Sequence, residues 1–190
     1  MKPPENLLPT DESLILRVSQ GDLAAFEGLV QRHQTSALRA ARRFLGDEHE
    51  AEDLAQEAFL QIYRQAHRYN PATASFKTWF FTILANLCKN TIKKRRLVYY
   101  DDSPENILDD RADPDSALEL SEQRRALARS IFNLPPNQRL AFILCHYEEF
   151  SYAEAARSLD LSVKAVESLL VRAKRSLREQ LSEIRKKSAT

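Results

Sequence analysis

The sequence predicts an all-α protein built from two small helical domains that a flexible acidic linker joins. Only 3 of the 190 residues are glycine, and no segment shows the alternation of apolar and polar residues that is typical of a β-strand. Apolar residues instead recur at spacings of three and four, the period of an amphipathic helix. This periodicity disappears between residues 97 and 115 and then resumes. We therefore predict a first domain over residues 1–96, a linker over 97–115 and a second domain over 116–190.

Four helices are predicted in the first half, and turn-forming residues separate them. Gly21 breaks the chain after the first helix, Asp22 is placed to cap the second, and Gly46 ends it. Pro71 disfavours helical geometry at the residue before it, so a loop over residues 68–75 precedes the fourth helix. The predicted helices run over about Glu12–Ser19, Asp22–Leu45, Glu48–His67 and Phe76–Arg96.

Four more helices are predicted in the second half. The run Leu134-Pro135-Pro136 ends the first of them, and its second proline suits the first turn of the next helix. Ser151 and Glu154 form a capping box before the third, and Ser162 is placed to cap the fourth. The predicted helices run over about Ser116–Phe132, Asn137–Tyr147, Tyr152–Leu159 and Val163–Lys186.

The fourth predicted helix begins with aromatic residues and ends in a basic cluster. At about 100° per residue, one polar stripe contains Thr82, Asn86, Lys89, Lys93 and Arg96. The roughly opposite stripe contains Phe76, Phe80, Leu84, Leu87 and Thr91. Trp79 falls on the border between the two stripes. The pattern fits an ordinary helix with an aromatic core face and a solvated charged face, and it also fits a helix that handles nucleic acid.

The last two predicted helices form a short helix, a tight turn and a longer basic helix, which describes a helix-turn-helix. In the longer helix, the predicted buried stripe contains Val166, Leu170, Ala173 and Leu177. The outer side contains Lys164, Ser168, Val171, Arg172 and Arg175. A plain antiparallel hairpin is the alternative interpretation. The capping signals and the basic outer face favour DNA binding.

Positive and negative charges are segregated along the chain, although 28 Lys and Arg nearly balance 27 Asp and Glu. A net charge of +1 gives no global attraction to nucleic acid, so any such binding must come from local basic regions. Residues 89–96 and 172–187 are basic, and they flank an acidic segment, residues 101–115, with seven Asp or Glu and one Arg. This distribution predicts two separate basic surfaces.

Catalytic and metal-binding motifs are not found in the sequence. Cys88 and Cys145 have no spacing that suits zinc, so we expect both to be reduced core thiols. The four histidines are scattered, with no nucleophile or Gly-rich phosphate motif around them. We therefore expect no enzyme, no metal and no cofactor. Without a run of about 18 apolar residues or a signal core, we expect a cytoplasmic protein that does not insert into membranes.

The order of these segments resembles that of bacterial sigma factors. Residues 134–179 resemble the region-4 domain, and residues 21–33, 51–63 and 76–96 resemble region 2 of the extracytoplasmic-function (ECF) class. The resemblance extends over about Asp11–Leu181. It implies a dissociable transcription initiation factor that binds core RNA polymerase and directs it to promoters.

The resemblance implies polymerase contacts in both halves. It assigns docking on the β′ clamp helices to Asp53, Gln56, Glu57 and Phe59, since acidic and amide groups suit a basic partner. The alternative is a solvated helix face that Asp53 caps, with Leu54, Ala58 and Ile62 in the core in either case. A contact with the β flap would involve Leu134, Phe142 and Leu144, which are equally typical of core residues.

The resemblance also implies two sites for promoter DNA. The loop from Tyr69 to Ser75 would receive an extruded base of the minus-10 element, and the Asn86 amide would read the edge of a base. The full minus-10 set is Tyr69, Asn70, Ser75, Trp79, Asn86, Lys89, Lys93, Arg95 and Arg96. The minus-35 set is Lys164, Ala165, Ser168, Arg172 and Arg175. Glu167 and Leu169 depart from the basic residues common in the family, so the minus-35 sequence is not predicted.

Three further expectations concern regulation and alternatives. The resemblance implies an anti-sigma factor as a partner. The acidic linker either mimics RNA near the exit path or simply provides a soluble flexible connection. The alternative function is a one-component helix-turn-helix regulator that does not require core polymerase.

Overall fold

Eight α-helices make up the described chain, together with one short 3-10 turn. The computed structural model describes residues 9–98 and 118–187, and no β-strand occurs in these two ranges. The first four helices are α1 (Asp11–Val18), α2 (Leu23–Leu45), α3 (Glu48–Gln65) and α4 (Phe76–Val98). The second four are α5 (Leu118–Phe132), α6 (Pro136–His146), α7 (Tyr152–Leu159) and α8 (Val163–Lys187). The all-α prediction is confirmed.

Capping contacts explain where the helices of the first domain begin and end. The Asp22 carboxylate accepts a hydrogen bond from the Ala25 N–H at 3.0 Å, and Gly46 ends α2 in the left-handed region at φ 73°. Both assignments match the sequence prediction. The N-cap of α3 is Asp47, so Asp53 lies in the second turn of that helix and does not cap it. The interpretation of Asp53 as a cap was therefore wrong.

The caps of the second domain also match their predictions. Ser151 and Glu154 form a complete capping box at the start of α7. At the start of α8, the Ala165 N–H donates to Ser162 Oγ at 3.1 Å. Between these helices Asp160 adopts a left-handed φ of 56° and ends α7. Each of these turns is stabilised by residues within four positions, which is why the sequence alone could locate them.

Two predicted boundaries need correction. The third helix was predicted to reach His67, but it ends at Gln65, and Ala66–Arg68 form the 3-10 turn. The linker was predicted to start at residue 97, but α4 continues to Val98. The rest of the predicted linker and the first two residues of the predicted fifth helix lie outside the described residues.

Aromatic residues dominate the core of the first domain. Phe80 of α4 is fully buried, and its ring centroid lies 5.1 Å from that of Phe59 and 6.0 Å from that of Phe76. Burying one aromatic side chain contributes about 1.5–3 kcal/mol relative to leaving it exposed. This cluster therefore fixes α4 against α3.

Helix α1 positions the start of α4. The Glu12 carboxylate accepts a hydrogen bond from the Phe76 N–H at 3.1 Å, which satisfies one of the free donors at the start of that helix. Asp11 is held in turn by Arg32 at 2.7 Å and by the ring of His33 at 2.6 Å. The orientation of α4 thus depends on residues more than 40 positions earlier.

The second domain is organised around one face of α8. Val166, Leu170, Ala173 and Leu177 are all buried, as predicted from their spacing. At the C-terminal end of this stripe, Ala173 and Leu177 pack with Ile131 and Leu134. This packing leaves the opposite, basic side of α8 exposed.

The two domains pack against each other in this structure. The hydrophobic core of the first domain continues into α6, α7 and the first turns of α8. Helix α4 contacts α7, and α2 contacts α5 and α6. As a result α4 is covered on two sides. The sequence analysis predicted only one buried stripe on this helix.

Candidate nucleic-acid and polymerase interface

The outer surface of α3 carries most of the residues expected to contact polymerase. Asp53 and Gln56 are exposed. Glu57 is half-buried and accepts a hydrogen bond from Gln61 Nε2 at 3.1 Å. Leu60 extends this surface and is 45% exposed. The sequence analysis missed Leu60, although its position four residues after Gln56 places it on the same helix face.

Phe59 does not belong to this surface. Its side chain is only 8% exposed and packs on Phe80 inside the first domain. A ring packed in the core presents almost no surface to a partner. The expected polymerase contact of Phe59 is therefore corrected to a core role, and Leu54, Ala58 and Ile62 are buried as predicted.

A groove of about 450 Å³ lies between α3 and the C-terminal part of α4. Asp53 and Glu57 line its acidic side, and Lys94 lines its basic side. Arg95 also lines the groove, but it forms an ion pair with Glu50 and donates to a carbonyl of α2 at 3.1 Å. Arg95 therefore holds α4 against the first domain, so the DNA contact expected of it is not available here.

The loop before α4 is shaped by its own hydrogen bonds. The Tyr69 hydroxyl donates to the Ala74 carbonyl at 3.1 Å, and Asn70 Oδ1 accepts from the Ala72 N–H at 3.0 Å. The Ser75 hydroxyl lies 3.0 Å from that of Thr78. Asn70 and Ser75 are exposed, as a DNA-binding loop requires.

Tyr69 supports this loop from inside. It is 7% exposed, and its ring centroid lies 5.3 Å from that of Trp79. Burial raises the pKa of Tyr69 to about 12, so its hydroxyl stays protonated and remains a donor. The direct DNA contact expected of Tyr69 is thus corrected to a supporting role, while Trp79 is half-buried at the edge of the cluster.

The polar stripe of α4 is only partly open to solvent. Asn86 and Lys93 are exposed, and the Asn86 amide makes no hydrogen bond within the described part of the chain. Lys89 is half-buried, because its ammonium donates to the Leu159 carbonyl of the second domain at 2.9 Å. Burial lowers the pKa of Lys89. Arg96 belongs to the same helix, but its side chain is outside the described part.

The outer face of α8 presents the expected minus-35 residues. Lys164, Arg172 and Arg175 are exposed, while Ala165 and Ser168 are half-buried. The Arg172 guanidinium donates to Ser168 Oγ at 2.9 Å, which orients it along the helix.

The two unusual positions of α8 have different environments. Glu167 is exposed, whereas Leu169 is half-buried against the core. Leu169 is therefore a packing residue, and only Glu167 changes the chemistry of the outer face. Val171 is 69% exposed on the same face.

Of the two cysteines predicted to lie in the core, Cys88 is buried and Cys145 is only half-buried. Cys88 and Cys145 are both free, and burial raises the pKa of Cys88 to about 12 and that of Cys145 to about 11. The protonated thiol is therefore the favoured form of both near neutral pH. Among the described residues, no helix has both the length and the apolar character needed to span a membrane.

Comparison with known families matches both halves of the chain. The family model for Sigma-70 region 2 matches residues 29–98, and that for Sigma-70, region 4 matches residues 119–177. Together they cover more than half of the sequence and define a sigma-70-type initiation factor with two regions. The chain belongs to the ECF RNA polymerase sigma factors.

Individual relatives agree with this assignment. The ECF RNA polymerase sigma factor SigE of Mycolicibacterium smegmatis is 31% identical over 92% of this chain and 70% of its own length. SigW of Bacillus subtilis is 29% identical over 90% of this chain and 96% of its own length. Among solved structures, CnrH in complex with the cytosolic domain of CnrY superposes with a TM-score of 0.69 at 27% identity, covering 91% of this chain and 97% of that one.

The family assignment establishes the general function. The protein directs RNA polymerase to promoters and is not an enzyme. The match to region 2 in the first half removes the alternative of a one-component regulator, because region 2 belongs to factors that act with polymerase.

Proposed function

We propose that the loop before α4 and the exposed stripe of α4 bind the minus-10 element and promote strand opening. The observation that carries this proposal is the exposed Asn86 amide, which lies on the same face as Lys93, on the helix that follows a preformed polar loop. An amide offers a donor and an acceptor to a base edge. Lysines nearby would hold the phosphate backbone.

Strand opening would follow from capture of an unstacked base. Extruding a base costs about a few kcal/mol, which hydrogen bonding and stacking in a pocket can offset. Trp79 is the half-buried aromatic residue at the edge of the loop and would supply the stacking surface. No ATP would be needed for this step.

The outer face of α8 would bind the minus-35 element in the major groove. Lys164, Arg172 and Arg175 would contact phosphates or guanine edges, and Ser168 orients Arg172. Glu167 adds an acceptor that can pair with the exocyclic amine of cytosine. We propose these roles for the residues of the exposed face only, since Leu169 packs inward.

Docking on core polymerase would use α3, with the β′ clamp helices as the partner surface. Asp53 and Gln56 supply exposed polar groups. Leu60, one turn further along the same helix face, supplies an exposed apolar group. The second domain would contact the β flap. Leu134 and Leu144 are buried in its core, so the half-buried Phe142 is the member of that predicted set still able to contribute.

The domains and partners complete the proposal. We propose residues 1–98 as the region-2 domain, residues 116–190 as the region-4 domain, and the acidic segment between them as the linker. The CnrH structure contains the cytosolic domain of CnrY, and this supports an anti-sigma factor as a partner that controls release. We propose that the protein acts in the cytoplasm without a cofactor.

Run-off transcription with purified core polymerase tests this assignment. Start sites are mapped on a genomic library, and the sequences upstream are aligned. Two shared elements at minus 10 and minus 35 are the expected result. Start sites that share only one element, or none, would contradict the assignment of the minus-10 element to α4 and of the minus-35 element to α8.

A further inference from the structure

Helix α1 contacts the chain on both sides of the loop before α4, residues 69–75. It packs against the 3-10 turn that precedes the loop and against α4, which follows it. Leu14, Ile15 and Val18 of α1 are buried in the core of the first domain. Because this short, anchored helix reaches both ends of the loop, one of its side chains can act on both.

At the end of the loop, Glu12 of α1 binds the backbone of Phe76, 64 positions later in the chain. The Glu12 carboxylate accepts from the Phe76 N–H at 3.1 Å. The Ser75 hydroxyl is the local cap of α4 and accepts from the Thr78 N–H at 3.2 Å. A side-chain cap reaches the second or third N–H of a helix, so the first N–H needs another acceptor. Glu12 supplies it from a different helix, where the helix dipole also favours a carboxylate.

At the start of the loop, Tyr69 lies within the electrostatic reach of the same carboxylate. Burial raises the pKa of Tyr69 to about 12, and the charges of Glu12 and Asp11 act in the same direction. The Tyr69 hydroxyl therefore remains a donor, and it bonds to the Ala74 carbonyl at 3.1 Å. Glu12 thus acts on the first residue of the loop and holds the residue that follows its last.

Helix α2 fixes the position of α1. Arg32 of α2 donates to one oxygen of the Asp11 carboxylate at 2.7 Å. His33 Nε2 lies 2.6 Å from the other oxygen, and the His33 ring centroid lies 5.2 Å from that of Phe76. The support of the loop therefore continues from Glu12 through its neighbour Asp11 into the long helix α2.

The bonds inside the loop set its shape but not its position on α4. The Asn70 side chain accepts from the Ala72 N–H at 3.0 Å, and the Asn70 carbonyl accepts from the Thr73 hydroxyl at 2.8 Å. All three residues are exposed, so these bonds move with the loop. The bond to Glu12 instead connects the end of the loop to a helix with buried core residues. Without it, the loop would keep its shape but lose a fixed position.

We propose that Glu12 is a positioning residue for strand opening, which holds the end of the loop in place through the Phe76 N–H while a base is captured. This inference deepens the function proposed above for the loop and α4, and it rests on that function. Unpairing a base costs free energy that binding in a pocket must offset. A pocket that is ordered in advance offsets more of this cost, because no ordering of the loop is needed on capture.

Three substitutions of Glu12 separate the hydrogen bond from the charge. Glu12→Ala removes both. Glu12→Asp keeps the charge, but its side chain is shorter by one methylene, which withdraws the oxygen from the Phe76 N–H. Glu12→Gln removes the charge and keeps an acceptor oxygen at the same chain length. The exposed Glu27 of α2 receives the same three substitutions as the matched control.

Permanganate reactivity of promoter thymines measures opening by holoenzyme that contains each variant, on a promoter from the run-off mapping described above. Glu12→Ala and Glu12→Asp should reduce open complexes roughly tenfold, the loss expected for one hydrogen bond to a charged group. Glu12→Gln should remain within about threefold of the wild type, and the Glu27 variants should match the wild type. Wild-type opening by Glu12→Asp, or a loss in Glu12→Gln as large as that in Glu12→Ala, would overturn the proposal.

A template that is already unpaired over the minus-10 element distinguishes positioning from a general loss of structure. No unpairing is needed on such a mismatched bubble, so run-off transcription at saturating holoenzyme should equal that of the wild type for Glu12→Ala and Glu12→Asp. If Glu12→Ala does not fold, the comparison is made with Glu12→Asp, which keeps an acidic residue in the first turn of α1. A defect of Glu12→Asp that persists on the bubble would contradict a role in opening.

Hydrogen exchange of the full chain without polymerase or DNA tests the physical step directly. The Phe76 amide should exchange roughly tenfold faster in Glu12→Ala and Glu12→Asp than in the wild type. Amides in the middle of α2, around Ala37, should stay protected in all variants. Unchanged exchange at Phe76 would show that Glu12 does not hold the end of the loop, and the proposal would then be wrong.

Asn86→Ala, measured in the same opening assay, separates failure of this inference from failure of the proposed function. If Asn86→Ala impairs opening and the Glu12 variants do not, positioning by Glu12 is wrong and the function proposed for α4 stands. If neither Asn86→Ala nor the Glu12 variants impair opening, both proposals are wrong. Impaired opening by Asn86→Ala, Glu12→Ala and Glu12→Asp, with rescue by Glu12→Gln, is the expected result.

Discussion

The Nζ atom of Lys89 lies 2.9 Å from the carbonyl oxygen of Leu159, across the boundary between the two domains. Lys89 is one of the lysines that the sequence assigns to promoter DNA. Its ammonium group is directed by α4 toward α7, where burial lowers its pKa. In this structure the ammonium group is therefore engaged by the second domain.

Replacing Asn86 with alanine should impair strand opening more than polymerase binding. A side chain that makes paired hydrogen bonds to a base contributes about 1–3 kcal/mol of discrimination, so open complexes should decrease roughly tenfold. Permanganate reactivity of promoter thymines measures the opening. Asn90→Ala, at another exposed position of α4, is the control. Unchanged reactivity in Asn86→Ala would remove the proposed role of this amide.

Asp53→Arg should weaken binding to core polymerase. The change places a cation on a surface proposed to meet a basic partner, and like-charge contacts at an interface cost about several kcal/mol. The expected loss of affinity is at least about tenfold. Glu52→Arg makes the same charge change at the neighbouring exposed position and should have a smaller effect. Equal losses in the two variants would indicate a general charge effect instead of a docking site on this face of α3.

Closure of the two domains should become more favourable as the pH falls. Burial raises the pKa of Glu148, and Lys77, Arg43 and Arg39 offset this only in part, while Glu149 adds to it. The packed arrangement of the two domains therefore binds a proton at Glu148 more tightly than separated domains do. Closure is strongest below the ordinary carboxyl pKa and weakens as the pH rises through the raised value.

Glu148→Gln removes this titration, because an amide carries no charge at any of these pH values. The variant should stay compact from about pH 4.5 to 7, while the wild type expands slightly over the upper part of the range. Small-angle scattering as a function of pH measures the difference. A wild-type profile as flat as that of Glu148→Gln would show that Glu148 does not couple protonation to closure.

Ser151→Ala should destabilise α7 by about 1 kcal/mol, because it removes the hydroxyl that satisfies a free N–H at the start of that helix. The Ser151 side chain accepts from the Glu154 N–H and is part of the complete capping box. Urea unfolding followed by circular dichroism measures the change. Ser182→Ala, which removes only a local bond to the Glu179 carbonyl within α8, is the control and should change the free energy of unfolding by about 0.5 kcal/mol or less. A loss for Ser151→Ala no larger than that of the control would show that the cap is not important.

Local signals predicted most of the helices in this protein. The cap residues Asp22, Ser151 and Ser162 act on neighbours within four positions, and Pro136 fixes its own backbone angle. Such interactions need no knowledge of the tertiary structure. The buried stripe of α8 was predicted for a similar reason, since spacing alone determines which residues share a helix face.

The candidate site was predicted less completely. Spacing placed Asn86 and Lys93 on an exposed stripe of α4, and the structure agrees. The family resemblance assigned Phe59, Tyr69 and Arg95 to partner surfaces, whereas all three are engaged inside the first domain. Residue type cannot distinguish an aromatic or basic side chain that binds a partner from one that completes its own fold.

The sequence by itself determined the helical fold, the helix-turn-helix and the family, because helix period, caps and segment order are written in residues close together along the chain. Only the tertiary structure decided that α4 has two buried sides and that Lys77 and Lys89 bond to the second domain. Their partners, the carbonyls of Glu148 and Leu159, are 70 or more residues away. Every residue has a backbone carbonyl, so such contacts leave no signature in the residue types, and only the packing of the domains reveals them.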